Sequence, residues 1–323
     1  MALLLHHEIE PPRPCSYLAL ESASLEQMLL QDVSAEELEA MLARGWRRFG
    51  ATYFRPSCAP CNACVSLRVP TATFHPSRSQ RRARNRCARF RLELGPPRVD
   101  DARLSLYAAW HAFREGSRDW EPSPLTDRDY AFQFAFPHPC ARELTWWDDE
   151  TEGGPRLVAV GYADETPHAW SAVYFFYAPD IAPLSPGTAN VVFQLELART
   201  RGIPHVYLVR GCPSLRYKEA FGPHELLDTR PGFRQAPLWV PVPPPEGPAR
   251  AEGFLRHFCG SGPPRSLSPL GRCRPRSLDL APHGLHEDSS RLGRSLGPPF
   301  FEGATHARAP RKRSARQAPQ RVR

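Results

Sequence analysis

"RLVAVGYADETPHAWSAVYFFY", residues 156–177, carries the clearest signal of how this chain folds. Two runs rich in Val, Tyr, Phe and Trp, 156–163 and 169–177, flank a short polar turn, and that combination reads as a β-hairpin. Downstream, Gly187 to Arg201 reads as a helix with Val191, Val192, Leu195 and Ala198 turned inward, stopped by Gly202. "HVYLV" (205–209) then reads as a short buried strand. Hairpin, helix and strand in that order imply an α+β layer, with helices packed on a mostly antiparallel sheet. No internal repeat is visible.

Upstream, two capping boxes mark helix starts. Ser34-Ala-Glu-Glu37 pairs a hydroxyl with the N3 amide and a carboxylate with the cap amide. Leu38, Met41 and Leu42 follow at helical spacing, and Gly45 supplies a left-handed stop. Ser77-Arg-Ser-Gln80 opens a second helix. At 100° per residue, Arg78, Arg81, Arg82, Arg86 and Arg89 share one side of it, and Ala83, Cys87 and Phe90 the other. One face is dry and the other cationic. Leu104, Tyr107, Trp110 and His111 suggest a further helix, and 126–136 another.

The chain has 323 residues, enough for one large or two modest domains. "MALLLHHEIEPPRPC" has a short apolar run and no basic n-region, so it does not read as a signal peptide. No stretch approaches the ~20 apolar residues of a membrane span. A cytoplasmic location is expected, where disulfides are rare, and the nine cysteines then read as ligands or buried thiols. Cys87, Cys140, Cys259 and Cys273 read as plain buried thiols. The net charge is +8, but seven Arg or Lys and no acid lie between Gly303 and Arg323. Subtracting those seven leaves +1 for the rest, so a local basic face says more than the global pI. From about residue 240 a Pro-, Arg-, Ser- and Gly-rich composition without periodicity reads as a disordered tail.

In "CAPCNAC", Cys58, Cys61 and Cys64 stand two residues apart. Such spacing lets three thiolates converge on one centre, as in iron–sulfur loops. A tetrahedral site needs a fourth ligand. Cys15 in "RPCSYL" is the leading candidate, with His75 and Cys87 as alternatives. An iron–sulfur cluster or zinc are both compatible with thiolates, and three reduced thiols in a turn is the plainer reading.

These motifs carry a family resemblance. "RPCSYL", "LLQDVSAEELEAMLARGWRRFGATYFRPSCAPCNACVSLRVPTATFHPSRSQRRARNR", "SAVYFFYAPD", "ELARTRGIPHVYLV" and "RYKEAFGPHELL" resemble bacterial aspartate/glutamate leucyltransferases, homologues of the arginyl-tRNA–protein transferases. The resemblance spans about residues 3–240. It implies an N-terminal cysteine-bearing domain (1–95), a C-terminal domain of the acetyltransferase type (96–240) and an added tail (241–323). It also implies a reaction: leucine passes from leucyl-tRNA to the α-amine of a protein beginning with Asp or Glu, which marks that protein for degradation. No cofactor is required for that chemistry.

The resemblance directs attention to particular residues. Tyr207, Tyr217 and Lys218 lie in family motifs as candidates for polarising the ester, and Glu196 as a candidate proton acceptor, with Gln194 beside it. Arg47, Arg48, Arg55, Arg78, Arg81 and Arg82 are candidates for tRNA phosphates or the acceptor's carboxylate, since a guanidinium fork suits both. Arg48 and Arg78 are favoured for the carboxylate. Arginyl transfer and a metal-stabilised RNA-binding module without catalysis are the alternatives. An acetyl-CoA-dependent acetyltransferase is disfavoured, because "LSPGTANVV" (184–192) lacks the glycine spacing of a pyrophosphate loop.

Overall fold

The computed structural model describes residues 1–242 apart from 16, 19, 119–124, 212 and 230–235. Beyond two residues of a closing strand, the expected tail lies outside the described residues, as do Cys212, Cys259 and Cys273. The first half begins with the strands β1 (Leu3–Ile9), β2 (Arg13–Pro14), β3 (Ser22–Ala23) and β4 (Leu25–Gln31). Helix α1 (Ala35–Ala43) precedes β5 (Arg47–Phe49), β6 (Thr52–Pro56) and β7 (Val65–Pro70). Helix α2 (Arg78–Cys87) and strand β8 (Arg91–Gly95) follow. The second half holds α3 (Asp101–Arg118), α4 (Asp127–Phe134), β9 (Ala141–Asp148), β10 (Arg156–Glu165), β11 (Ala169–Tyr177), α5 (Pro186–Thr200), β12 (His205–Arg210), β13 (His224–Asp228) and β14 (Leu238–Val242). No helix among the described residues is long and apolar enough to cross a membrane.

Local chemistry accounts for the helix starts. Both expected capping boxes form, at Ser34/Glu37 and Ser77/Gln80, and a third forms at Thr126/Asp129. Gly45 closes α1 at φ +86°, where a side chain would be strained. On α2 and the turn after it, Ala83, Cys87 and Phe90 are buried while Arg78, Arg81, Arg82, Arg86 and Arg89 are exposed. The α+β class expected from the hairpin is the class the chain adopts.

Strands assemble into a four-stranded sheet, β1-β4-β6-β5, and an eight-stranded one, β14-β13-β7-β12-β11-β10-β9-β8. Strands from both sides of residue 95 share the larger sheet, since β7 sits between β13 and β12 and β8 pairs with β9. The expected division at residue 95 therefore runs through one sheet. Aromatic side chains fill the interior against it: Tyr107, Trp110, Tyr130, Phe134, Tyr162, Tyr174 and Phe176 form part of one buried cluster. Rings of this size dominate core energetics, and their edge-to-face contacts add to simple burial; Tyr107 against Phe176 is one such pair, at 5.4 Å. Tyr130 and Tyr162 share a 2.6 Å hydroxyl contact, and Tyr162 also donates to Glu143, so these buried hydroxyls are satisfied.

Two features of the sheet prepare a site. All of its pairings are antiparallel except β11 with β12, which pair only at Ala169/His205, Trp170/Val206 and Ser171/Tyr207. Past that point β12 stays with β7, at Leu208/Leu67, Val209/Ser66 and Arg210/Val65, while β11 stays with β10. The sheet splits between them. At the same place Val173 is an extra residue in β11, because Tyr162 pairs with Tyr174 and Ala163 with Ala172. A bulge of this kind bends the strand and re-aims its side chains.

Candidate active site

Two clefts open in the split. The larger, about 340 Å³, is lined by Ala172, Val173 and Leu208 together with the aromatic Trp110, Tyr174, Phe175 and Tyr177. The start of α5 (Pro186, Gly187, Thr188) also lines it, with Tyr217 close to Gly187 and Lys218 in the lining as well. The smaller, about 120 Å³, is lined by Arg47, Arg48, Phe49, Phe54, Cys64, Ser66 and Val209. Tyr17, Ala172, Val173, Leu215 and Lys218 line both, so the clefts share a wall.

The larger cleft is apolar but not featureless. Asn190 Oδ1 and Trp110 Nε1 are buried without hydrogen-bond partners, an acceptor and a donor that cost free energy unless a ligand meets them. Close approach at Gly187 brings the Tyr217 hydroxyl to 3.8 Å from where a Cβ would stand. Tyr217 is 41% exposed as a whole, but its hydroxyl packs near the start of α5, and desolvation there, with Tyr177 nearby, raises its pKa against the opposing pull of Arg114. It therefore stays protonated at neutral pH and serves as a donor. The N-terminal amides of α5 add positive potential at the same place.

Sequence-predicted residues fall in different places. Tyr217 and Lys218 line the clefts. Tyr207 does not: it is buried in the core, with its ring edge against Trp239 at 5.4 Å. Its hydroxyl is 3.5 Å from Arg68 Nη1. Side chains alternate along a strand, so Leu208 faces the cleft and Tyr207 the other side. Glu196 sits on the outer flank of α5, paired with Arg84 at 3.2 Å, and Gln194 accepts from Trp170 Nε1 at 2.7 Å. Neither lines a cleft.

The arginines divide three ways. Arg78, Arg81 and Arg82 lie on the exposed face of α2, and Arg81 donates to the Pro76 carbonyl. Arg55 pairs with Glu26 at 2.6 Å and lies 4.5 Å over the Trp46 ring. Arg47 and Arg48 are buried at the smaller cleft. Arg48 is bonded to Asp164 and to the Gly50 carbonyl, so the arginine favoured for the acceptor already has a carboxylate of its own. Asp164 escaped the sequence reading; an acid inside an apolar strand is the one local signal that marks it.

Cys15, Cys58, Cys61 and Cys64 are half-buried. Cys58 Sγ lies 3.4 Å from both the amide and the carbonyl of Ser24, whereas Cys64 lines the smaller cleft. Among the described residues no three His, Cys, Asp or Glu side chains gather into a group that could hold a metal. The donor set expected from "CAPCNAC" is thus not assembled among the described residues. Cys87 and Cys140 are buried, and burial pushes each thiol up to about 11, which keeps them protonated and inert.

Comparison with known proteins identifies the family. Among solved structures, the chain is similar to L-PGS from Bacillus licheniformis (TM-score 0.33, 16% identity, 54% of this chain and 49% of that one). It is also similar to FemX (TM-score 0.36, 8% identity, 58% and 63%). Likenesses of that order say nothing of activity. Sequence relatives are much nearer. The aspartate/glutamate leucyltransferase of Halorhodospira halophila is 34% identical over 227 residues, covering 68% of this chain and 92% of the relative. The enzyme of the same name from Campylobacter jejuni (strain 81-176) is 30% identical over 236 residues, covering 70% and 94%. The family model for the N terminus of arginine-tRNA-protein transferase matches residues 13–82, and that for its C terminus matches 102–228. The chain is an aminoacyltransferase that belongs to the arginine-tRNA-protein transferase family.

Proposed function

We propose that this protein moves leucine from the 3′ ester of leucyl-tRNA to the α-amine of proteins that begin with Asp or Glu. The observation that carries the donor is the lining of the larger cleft. Its described lining is mainly apolar and aromatic, with Ser185, Thr188 and Asn190 as polar members, and includes no acid. A leucyl side chain suits that lining; an arginyl one would find no acid among the described residues that line it. The names of the relatives support both donor and acceptor.

The chemistry is aminolysis of an activated ester. The acceptor amine, with a usual pKa near 7.7–8.0, is partly neutral at pH 7 and attacks the carbonyl carbon. A C–N bond forms, the bond between the carbonyl carbon and the 3′ oxygen breaks, and the amine's proton ends on the departing 3′ oxygen. Holding amine and ester together in the shared split supplies much of the acceleration, up to roughly 7–11 kcal/mol. The Tyr217 hydroxyl and the Lys218 ammonium line the larger cleft as donors to the oxyanion. Incubation with leucyl-tRNA or arginyl-tRNA, and peptides starting Asp, Glu, Asn or Ala, tests this reading. Leucine on the Asp and Glu peptides alone is expected; arginine transfer at equal rate refutes it.

The exposed arginine face of α2 is assigned to tRNA phosphates. Arg78→Gln with Arg82→Gln is expected to weaken tRNA binding and to flatten the slope of log K against log salt by about 1 per lost contact. The acceptor KM should not move. A filter-binding titration across salt concentrations decides it, and an unchanged slope would place the tRNA elsewhere.

A further inference from the structure

Arg47 and Arg48 are neighbours on β5, both line the smaller cleft, and their partners differ. Arg48 has Asp164. Arg47 has only uncharged backbone oxygens: Nη1 donates to Trp46 O at 2.7 Å and Leu42 O at 3.5 Å, and Nη2 donates to Leu208 O at 3.2 Å. Its Nε has no partner, and the residue is only 7% exposed. The Tyr207 ring, 5.6 Å away, offers partial compensation through its π face. Burying an unpaired charge is costly, and such a charge is ordinarily paired or neutralised. Burial brings the guanidinium down to about 10, still protonated at neutral pH.

The remainder of the cleft agrees with an anionic guest. Lys218 stands on the wall shared with the larger cleft. Two guanidiniums and an ammonium thus line the smaller cleft; Asp164 is bonded to Arg48 and attracts Arg47 through space without a hydrogen bond to it. The other lining is apolar (Phe49, Phe54, Val209, Leu215), so water screens a charge there poorly. At about a third of the larger cleft's volume, it suits one short side chain.

We propose that Arg47 selects the acceptor: its guanidinium receives the side-chain carboxylate of an N-terminal Asp or Glu in the smaller cleft, while the α-amine reaches across Lys218 to the ester in the larger one. This rests on the leucyl-transfer reading above. It moves the selecting charge away from Arg48, which Asp164 neutralises, and from Arg78, which lies on the exposed face of α2. An Asn- or Gln-starting peptide fits by size but leaves the cation unpaired.

The test uses the full chain, saturating leucyl-tRNA and peptides starting Asp, Glu, Asn or Gln. Arg47→Met is expected to lower kcat/KM for the Asp and Glu peptides on the order of 100-fold, through KM. The Asn and Gln peptides should change little, and tRNA binding should hold. Arg47→Lys should restore part of the preference for acid. A purely structural arginine would lower all four peptides together. Independently of whether the variants fold, propionate should inhibit the unaltered protein competitively against the Asp peptide, and propionamide should not. A folded Arg47→Met with the parent's Asp/Asn ratio, or equal inhibition by propionate and propionamide, overturns the assignment. Failure of the unaltered protein to leucylate any peptide is a separate result and refutes the leucyl-transfer reading itself.

Discussion

Replacing Ala172 with Trp is expected to lower kcat/KM for transfer by about 100-fold or more, equivalent to at least ~2.7 kcal/mol of transition-state stabilisation. Ala172 is half-buried on β11, beside the bulged Val173, and lines both clefts. An indole there fills the passage through which amine and ester must meet. The loss should appear in kcat as well as KM, because near-attack geometry fails when the reacting groups are held apart. Ala172 faces open space in the split, so the melting temperature should stay within a few degrees of the parent. Ala172→Val should fall between parent and Trp. Full activity in a folded Ala172→Trp protein would move the reaction out of the split.

The second large effect concerns stability. Arg48→Met is expected to cost about 3–5 kcal/mol, because it strands Asp164 as a buried charge without its partner. For a chain of this size that is a drop in Tm of roughly 6–20 °C. The effect should depend on pH with a definite sign. Burial already holds the Asp164 carboxyl above its usual range, and Arg48 provides the main downward pull. Without Arg48 the folded-state pKa rises further. A carboxyl with a folded pKa above its unfolded one stabilises most at low pH, and that contribution is lost as pH rises through the folded value. The deficit of Arg48→Met should therefore be larger at pH 8 than at pH 5. Arg48→Met combined with Asp164→Leu should recover most of it. Thermal melts of the three proteins across that range are the measurement, and a deficit that grows toward pH 5 would contradict the buried-pair account.

Much of the local structure was legible. The capping boxes placed the starts of α1 and α2, because each needs only a hydroxyl and a carboxyl or amide three residues apart. The hairpin expected at 156–177 forms as β10 and β11, and Val191, Val192, Leu195 and Ala198 are buried on α5 as their spacing requires. Asn190 and Gln194 are buried on the same helix. Helical periodicity counts apolar residues and so could not tell that one polar group finds Trp170 while the other is left facing a cleft. The cysteines show the limit from another side. Their spacing permits convergence, but Cys58 turns toward Ser24 and Cys64 toward the smaller cleft, and sequence distance does not fix where a thiol points.

Local sequence was enough for the hairpin, the strand β12, the helices and the dry faces of α2 and α5, the cationic face of α2 and, through the motifs, the family. All of these are set by residues within a turn or two of one another, or by direct likeness. Tertiary structure alone decided where the chemistry can occur. β7 enters the sheet beside β12, which draws β12 away from β11 and opens the split. The same assembly buries Tyr207 and brings Asp164 to Arg48, 116 residues away, while giving Arg47 only carbonyls. Arg47 and Arg48 are identical in type and adjacent in sequence. Their roles differ because their guanidiniums meet different elements, Asp164 on β10 for one and the carbonyls of Leu42, Trp46 and Leu208 for the other, and strand order and register set those neighbours, which no local pattern encodes.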